Sequence, residues 1–474
     1  MSSALLDRPT AQRSANRQAP SALQEHYRLR TRSRNLRADL LETLGWVSMA
    51  ASVALFLADG VAGRFATIGD AMVTVGILAG LTATNAMLLM LLLAARVSFI
   101  DRTLGQPRVM ALHAKLGDWV VIGLGVHGAF LIVGYALRDQ TSLPAEFTTL
   151  WGTTGDFALA LLGMGLLLAV VVSSITAARR RLPYEVWHVI HLLSYLAVAV
   201  SIPHMFSMGS IITLDTWQGW YWTGLLIASG VSLLCFRFLL PLLNTLRHRI
   251  RVRRVVPVGP DTFSIEFRGT QLDELGVKAG QYLHWRFLAP GLWWHQHPFS
   301  VSAAPTDRSL RITVRILGKG TAALANLRPG TRVAIEGPYG TFSDDARTME
   351  SVALIGAGAG IGPIRAILED TGIVPGRATV ILRASRPEEF YLVDEIAELC
   401  HLRGARLVTL AGRRAEGRWV PASHAQWFLH HFIPDLTGTD VFVCGPAGFT
   451  TAVVDEALSL GVPRSRIHDE RLDW

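Results

Sequence analysis

A chain of 474 residues that is half apolar and carries a net charge of +8 has room for two to four domains, and its apolar residues gather between about 40 and 240. Its arginines cluster at the ends of apolar stretches, a pattern of membrane topology that gives little support to nucleic-acid binding. Only three cysteines occur, Cys235, Cys400 and Cys444; their spacing suits no metal and argues against a disulfide framework.

In chain order, residues 1–39 form a basic tail with eight arginines, among them Arg28, Arg30, Arg32, Arg34 and Arg37. The tail leads into a full span rather than a short apolar region with a cleavage site, so it does not read as a targeting peptide. Six segments predict membrane-spanning helices: Leu44–Leu57, Ala71–Ala95, Trp119–Leu137, Phe157–Ala177, Trp187–Pro203 and Trp220–Leu240. The second is uncharged throughout and exceeds the ~20 residues needed to cross. The first and fifth are short and are expected to extend into their flanks. Arg96, Arg102, Arg108 and Lys115 follow the second span, and Arg179, Arg180 and Arg181 the fourth; the opposite loops hold only Arg64 and Arg138. This asymmetry places the protein in the cell membrane with both termini in the cytosol. Trp151, Trp217, Trp220 and Trp222 are expected at the outer interface.

Four histidines fall in or beside these spans. His113 and His127 are 14 residues apart, His191 and His204 are 13 apart, rises of about 21 Å and about 19.5 Å along a helix. Two such helices side by side would offer facing imidazoles at two depths, as two stacked b-type haems require. Ionisable residues within spans are functional candidates by default; polar contacts between helices are the plainer alternative. On an ideal helix His113 and His127 diverge by about 40°, whereas His191 and His204 diverge by about 140°. Pro203 offers a local repair, because proline disrupts the preceding turn. His188 competes with His191, but its rise to His204 is about 24 Å, a poorer match. The inner pair is therefore His113 with His191, the outer pair His127 with His204.

Beyond the last span, Arg247, Arg249, Arg251, Arg253 and Arg254 mark re-entry into the cytosol. Residues 248–346 read as short strands (Thr262–Phe267, Gln281–Phe287, Phe299–Ser302, Leu310–Arg315, Arg332–Glu336), which predict a small antiparallel β-barrel. Residues 347–474 then alternate strand and helix: Val352–Ile355, helix Ile364–Glu369, Ala378–Leu382, helix Leu392–Leu399, Arg406–Leu410 and Asp440–Cys444. That alternation predicts an α/β, Rossmann-like parallel sheet. Gly356, Gly358, Gly360 and Gly362 join its first strand to the next helix, where backbone can approach a pyrophosphate; a structural turn is the alternative.

Taken together these motifs resemble the NADPH oxidase and ferric reductase superfamily over roughly residues 40–474. The resemblance divides the chain into a six-helix haem-binding domain (40–242), an FAD-binding barrel (248–346) and an NADPH-binding domain (347–474). It rests on His297-Pro298-Phe299-Ser300, which is similar to the flavin strand and implies a bond from Ser300 near flavin N5. Gly318-Lys319-Gly320-Thr321 resembles the segment at the FAD diphosphate, and Gly337-Pro338-Tyr339-Gly340 the end of the flavin domain. Gly358, Gly360, Gly362 and Pro363 resemble the nucleotide loop, and Cys444-Gly445-Pro446 the turn that brings nicotinamide to the flavin. Trp474 holds the place of the family's terminal aromatic on the flavin. The implied catalytic set is Trp474, Cys444 and Ser300. His297 departs from the arginine of soluble ferredoxin reductases, and Trp474 from the more usual phenylalanine or tyrosine.

After the second strand of the nucleotide domain stand Arg383, Ser385 and Arg386, with Arg413 and Arg414 after the third. Arginine suits the 2′-phosphate of NADPH rather than NADH; surface solvation is the alternative. The family reading implies electrons passing from NADPH through FAD and two haems to dioxygen or a ferric chelate outside. Leu131, one turn after His127, stands where superoxide-producing animal oxidases carry a further histidine, which favours ferric or other acceptors. The competing reading is an electron-transfer partner that delivers to a periplasmic protein or a quinone.

Overall fold

The computed structural model describes residues 22–60, 62–175, 180–182, 184–208, 211–212 and 214–472. Among the described residues, six helices are long and apolar enough to cross a bilayer: Glu25–Ala58, Ile68–Ala94, Gln106–Arg138, Phe157–Ser174, Val186–Met208 and Trp217–His248. The first and fifth do extend past the apolar runs. The first helix begins at Ala22, so part of the basic tail is helical. The predicted end of the fourth span, at Ala177, lies outside the described residues.

Local chemistry fixes where these helices begin and how closely they pack. Thr67 caps the second span: its hydroxyl accepts from the Asp70 amide at 3.1 Å, and the Asp70 carboxylate accepts from the Thr67 amide at 3.2 Å. Small residues then bring the second and third spans together. A Cβ at Gly134 would lie 2.9 Å from Val73 N, and one at Gly123 would lie 3.2 Å from Ala79 O. Lipid supplies no hydrophobic drive between helices, so close backbone approach and interhelical hydrogen bonds must do so. One such group joins three spans: Asn85 Nδ2 donates to Ser48 O at 3.1 Å and to the Tyr221 hydroxyl at 2.5 Å. Trp222 is buried among Phe56, Leu81, Met205, Ile211 and Ile212, because it faces the interior of the bundle, while Trp217 and Trp220, on the other faces of the helix, stay exposed.

The sixth span is α-helical over Trp217–Leu234, widens to a π-turn at Cys235–Leu239, and resumes at Leu240–His248. It leads into β1 (Arg251–Gly259), a strand hidden in the sequence because its arginines also read as a topology signal. Next come β2 (Thr262–Arg268), β3 (Tyr282–Phe287), β4 (His297–Ser300), β5 (Ser309–Arg315) and β6 (Val333–Tyr339). The expected barrel takes the form of two three-stranded antiparallel sheets, ordered β1-β2-β5 and β4-β3-β6. Bridges Arg251–Arg332 and Val301–Ile312 join them. Inward alternation in β3 buries Leu283, Trp285 and Phe287, with Trp285 stacked on Phe267 at 4.4 Å.

Membrane and flavin portions belong to one compact unit, residues 34–343 with 365–370. Inside it, one carboxylate collects the ends of two spans. Glu336 on β6 accepts from Arg96, just past the second span, at 3.3 Å and from Arg237, in the π-turn, at 2.5 Å. Gln296 Nε2 and the Tyr339 hydroxyl donate to it at 2.7 and 2.8 Å. Burial alone would raise the Glu336 carboxyl; Arg237 and Arg96, aided by Gln296, override it and hold the group down at about 2.

Of the described residues, the other unit holds 344–364 and 371–472 together with 22–33. Its parallel sheet contains β7 (Ser351–Ala357), β8 (Ala378–Ala384), β9 (Arg406–Ala411), β10 (Thr439–Gly445) and β11 (Ile467–Arg471). The order is β11-β10-β7-β8-β9. The sequence reading missed β11 and the helix Ala447–Ser459 before it. In this unit the amino-terminal helix also finds partners: Tyr27 lies under the Arg347 guanidinium at 4.9 Å, and Arg30 pairs with Asp345 at 3.3 Å.

Glu336→Gln should cost about 3–5 kcal/mol at pH 7, since it leaves two guanidiniums facing a neutral amide. Denaturant unfolding followed by flavin release would measure it. The folded carboxyl is depressed from its ordinary 4.5, so its stabilisation is complete above about 4.5 and fades as pH falls towards 2. The variant should lack that acid-side loss.

Candidate functional site

The two histidine-bearing spans meet at the inner pair. The His113 and His191 rings lie 6.2 Å apart, centroid to centroid, inclined by 52°. Two imidazoles bound to one metal at about 2.0–2.1 Å each would have centroids roughly 6 Å apart, so the spacing fits a shared iron. Nδ1 of His191 and of His204 is buried without a hydrogen-bond partner, whereas the His113 ring lies against the Met90 backbone carbonyl. Such atoms are costly unless another group completes the site. His188, one turn before His191, instead lies within electrostatic reach of Arg237 and Arg96.

His127 and His204, the other expected pair, lie within electrostatic reach of each other. His127 Nδ1 lies 2.9 Å from Gly76 O. Since a carbonyl only accepts, Nδ1 carries the proton and Nε2 keeps its lone pair for a metal. Glycine makes this possible: a Cβ at Gly80 would stand 2.4 Å from His127 Nδ1. Gly76 and Gly80 escaped the sequence reading, although a small-x-x-x-small spacing within a span signals such an approach. The helix bearing His191 and His204 continues through Pro203 to Met208. Arg64, on the connection before the second span, is committed to Asp59 at 2.9 Å and to the Phe56 ring at 3.9 Å.

In the flavin portion, β3 and β4 pair Trp285 with His297, His284 with Pro298, Leu283 with Phe299 and Tyr282 with Ser300. Alternation therefore puts His297 and Phe299 on one face, where their rings stack at 5.6 Å, and Pro298 and Ser300 on the other. His297 Nε2 is buried and unpartnered. Its ring stands 3.7 Å from where a Gly320 Cβ would be, which brings the flavin strand to the Gly318–Thr321 segment. Burial, then the neighbouring His295, lowers the His297 pKa. Thr321 Oγ1 accepts from the Leu317 and Gly318 amides at 2.9 and 3.2 Å, shaping that segment as a tight turn. The unpaired imidazole nitrogen beside a glycine turn fits the diphosphate of FAD.

In the nucleotide portion, β7 passes through a 3₁₀ turn, Gly358–Gly360, into the helix Ile361–Asp370 that carries Gly362 and Pro363. A Cβ at Gly360 would fall 2.1 Å from Cys444 O, so glycine there lets the loop rest on the Cys444-Gly445-Pro446 turn. Tyr391 donates its hydroxyl to Gly358 O at 2.6 Å, a brace with no local sequence signal. Cys444 is fully buried and burial raises its thiol pKa. Beside it in the sheet stands Glu470, raised to about 7 by burial and then by Asp469. Trp474 lies outside the described residues.

One expected pocket residue is corrected. Arg383 is buried, and its guanidinium donates to Trp419 O at 3.2 Å, Leu410 O at 3.3 Å, Gly412 O at 2.5 Å and Ala384 O. Four of its N–H groups are thus committed to carbonyls, those of Ala384 and Leu410 within β8 and β9 among them. Arg386 is exposed and paired with Glu389 at 3.0 Å, and that carboxylate also accepts from the Ser385 amide at 3.2 Å. Arg414 lies 3.7 Å from where a Gly448 Cβ would be, beside the start of the helix Ala447–Ser459.

With this geometry in place, comparison with known proteins adds the family. Residues 79–202 match the ferric reductase like transmembrane component, and residues 247–343 match an FAD-binding domain. The chain thus joins a stretch similar to the ferric-reductase transmembrane component to a stretch similar to an FAD-binding domain. A probable metalloreductase AIM14 of Yarrowia lipolytica is 27% identical over 291 residues, 60% of this chain and 50% of that one. The stachydrine N-demethylase reductase subunit Stc4 of Rhizobium meliloti is 29% identical over 234 residues, 45% of this chain and 63% of that one. The chain therefore spans between half and two-thirds of these curated relatives. A solved flavohaem-like FAD/NAD-binding domain of nitric oxide dioxygenase from Vibrio cholerae is 24% identical, with a TM-score of 0.40, covering 48% of this chain and 99% of that one.

Arg383→Ala should strip donors from buried carbonyls and lower stability by at least about 1.5–3 kcal/mol. The ratio of NADPH to NADH affinity should stay unchanged. Thermal unfolding and parallel nucleotide titrations would separate the two effects.

Proposed function

We propose that the protein carries electrons from cytosolic NADPH, through FAD and two b-type haems, to an acceptor outside the cell membrane. The observation that carries this reading is the facing of His113 and His191 at 6.2 Å, with His127 and His204 about 20 Å further along the same two helices. The arginine asymmetry of the loops puts the flavin and nucleotide portions in the cytosol. His113 and His191 would hold the inner haem, His127 and His204 the outer one. When bound, FAD would supply the chemistry that accepts one hydride, an electron pair with a proton, from NADPH and passes the electrons on singly, which would match a two-electron donor to one-electron carriers.

The chain's own residues supply position and electrostatics. Ser300 and Pro298 present one face of β4 to the flavin ring, and His297 with Gly318, Gly320 and Thr321 would receive the diphosphate. The Gly358–Gly362 loop and Cys444-Gly445-Pro446 would seat the dinucleotide, with Trp474 guarding nicotinamide entry. With Arg383 committed elsewhere, Arg386 and Arg414 are left to meet a 2′-phosphate. No acid–base step is required of the protein, so Cys444 acts by packing and not as a nucleophile.

The relative named a probable metalloreductase and the presence of Leu131 after His127 both favour a ferric chelate over dioxygen. Delivery to a periplasmic protein or a quinone is the competing reading. NADPH-driven turnover with ferric chelates, dioxygen and quinones side by side decides between them; a colourless preparation would refute all three.

His127→Ala or His204→Ala should remove one haem from the absorption spectrum and abolish acceptor reduction, leaving flavin reduction by NADPH intact. His188→Ala should be milder. Arg386→Ala should weaken NADPH binding about ten- to a hundredfold and barely affect NADH, as read by nucleotide titration.

A further inference from the structure

Two adjacent tryptophans in the flavin portion, Trp293 and Trp294, are each 62% exposed. Exposure of one large apolar side chain is ordinary, but two side by side at the tip of an ordered turn mark an interaction surface. The turn between β3 and β4 is well tied. The Leu292 and Trp293 amides donate to Ala289 O at 3.0 and 3.2 Å, and the His295 amide to Leu292 O at 3.1 Å. Trp294 Nε1 donates to Gly291 O at 3.1 Å. Leu292 is buried as the anchor, so the two indoles are held outward.

The depth of this turn follows from its neighbour Gln296, which donates to Glu336 at 2.7 Å. Glu336 is held by Arg237, which lies 20 residues along the sixth span from Trp217. That distance is about 30 Å of helix, the thickness of a hydrocarbon core. Glu336 is also held by Arg96, two residues past the end of the second span. Two spans thus fix Gln296 at the edge of the bilayer independently. Trp294 follows within about 7 Å and Trp293 within about 11 Å along the backbone. Side chains exposed at that depth meet headgroups, where an indole can bury its ring and keep its N–H hydrogen-bonded.

We propose that Trp293 and Trp294 insert into the headgroup layer of the adjoining leaflet and form a lipid anchor for the flavin domain. The tryptophans would add an attachment to lipid beside the ion pairs at Glu336 and the Arg247–Glu274 pair and so resist rocking of the domain. The proposal concerns the protein–lipid contact and does not depend on which acceptor takes the electrons.

The test uses the full-length protein with FAD bound, in nanodiscs of phosphatidylcholine with a minority of phosphatidylglycerol. Trp294→p-benzoylphenylalanine is irradiated and the crosslinked peptide is identified by mass spectrometry. Phospholipid adducts are expected. Adducts to FAD, or only to other parts of the protein, would overturn the proposal. Should that variant not fold, Trp293→Phe/Trp294→Phe is compared with the parent in nanodiscs made with shallow dibrominated lipid. Loss of a lipid-quenched share of emission, on the order of two of the thirteen tryptophans, is expected with FAD content unchanged. Quenching identical to the parent's, or a fall in FAD content without any change in quenching, would refute it.

Discussion

A buried carboxylate between two arginines ties the flavin portion of this protein to its membrane helices. Glu336 sits in β6, and β6 pairs with β3, which pairs in turn with the flavin strand β4. The cations reach it from the ends of the second and sixth spans, so the strand that would face the flavin is positioned by the helices themselves. Burying one carboxylate against two guanidiniums is favourable only because Gln296 and Tyr339 complete its hydrogen bonds. His284, opposite Glu336 in the sheet, is driven down to about 3 by loss of solvent and by Arg96, and adds no third positive charge.

The π-turn at Cys235–Leu239 belongs to the same constraint. A regular helix would leave Arg237 at the angle set by a 100° step; one extra residue in the turn changes that angle. Extra turns of this kind are frequent where a helix must aim a side chain at a site. Here the aim is an ion pair that joins membrane to flavin domain. Near the other end of the bundle, glycine does comparable work. Gly76 and Gly80 strip side chains from the second span so that His127 can lie against its backbone, and the freed Gly76 carbonyl fixes the imidazole tautomer.

The nucleotide portion shows why residue type alone misleads. Arg383 and Arg386 stand three residues apart, and both suit a phosphate on paper. Position in the sheet separates them: Arg383 is the penultimate residue of β8 and turns into the layer, where its donors meet carbonyls at the strand ends. Arg386 lies past the strand and remains exposed, with Glu389 as its partner.

The sequence by itself determined the class of architecture. Long apolar runs, a helical spacing between histidines and a glycine-rich turn after a strand are local signals, and local periodicity survives in one dimension. It therefore indicated six spans, antiparallel strands followed by a strand–helix alternation, and the choice of His113, His127, His191 and His204. It did not reveal β1, whose arginines also read as a topology signal, nor Trp222 turning inward. Only the tertiary structure decided that Arg383 is consumed by the sheet and that Glu336 joins helices to strands. Each of these depends on which groups from distant parts of the chain meet in a place with little water, where every polar atom must find a partner or remain costly.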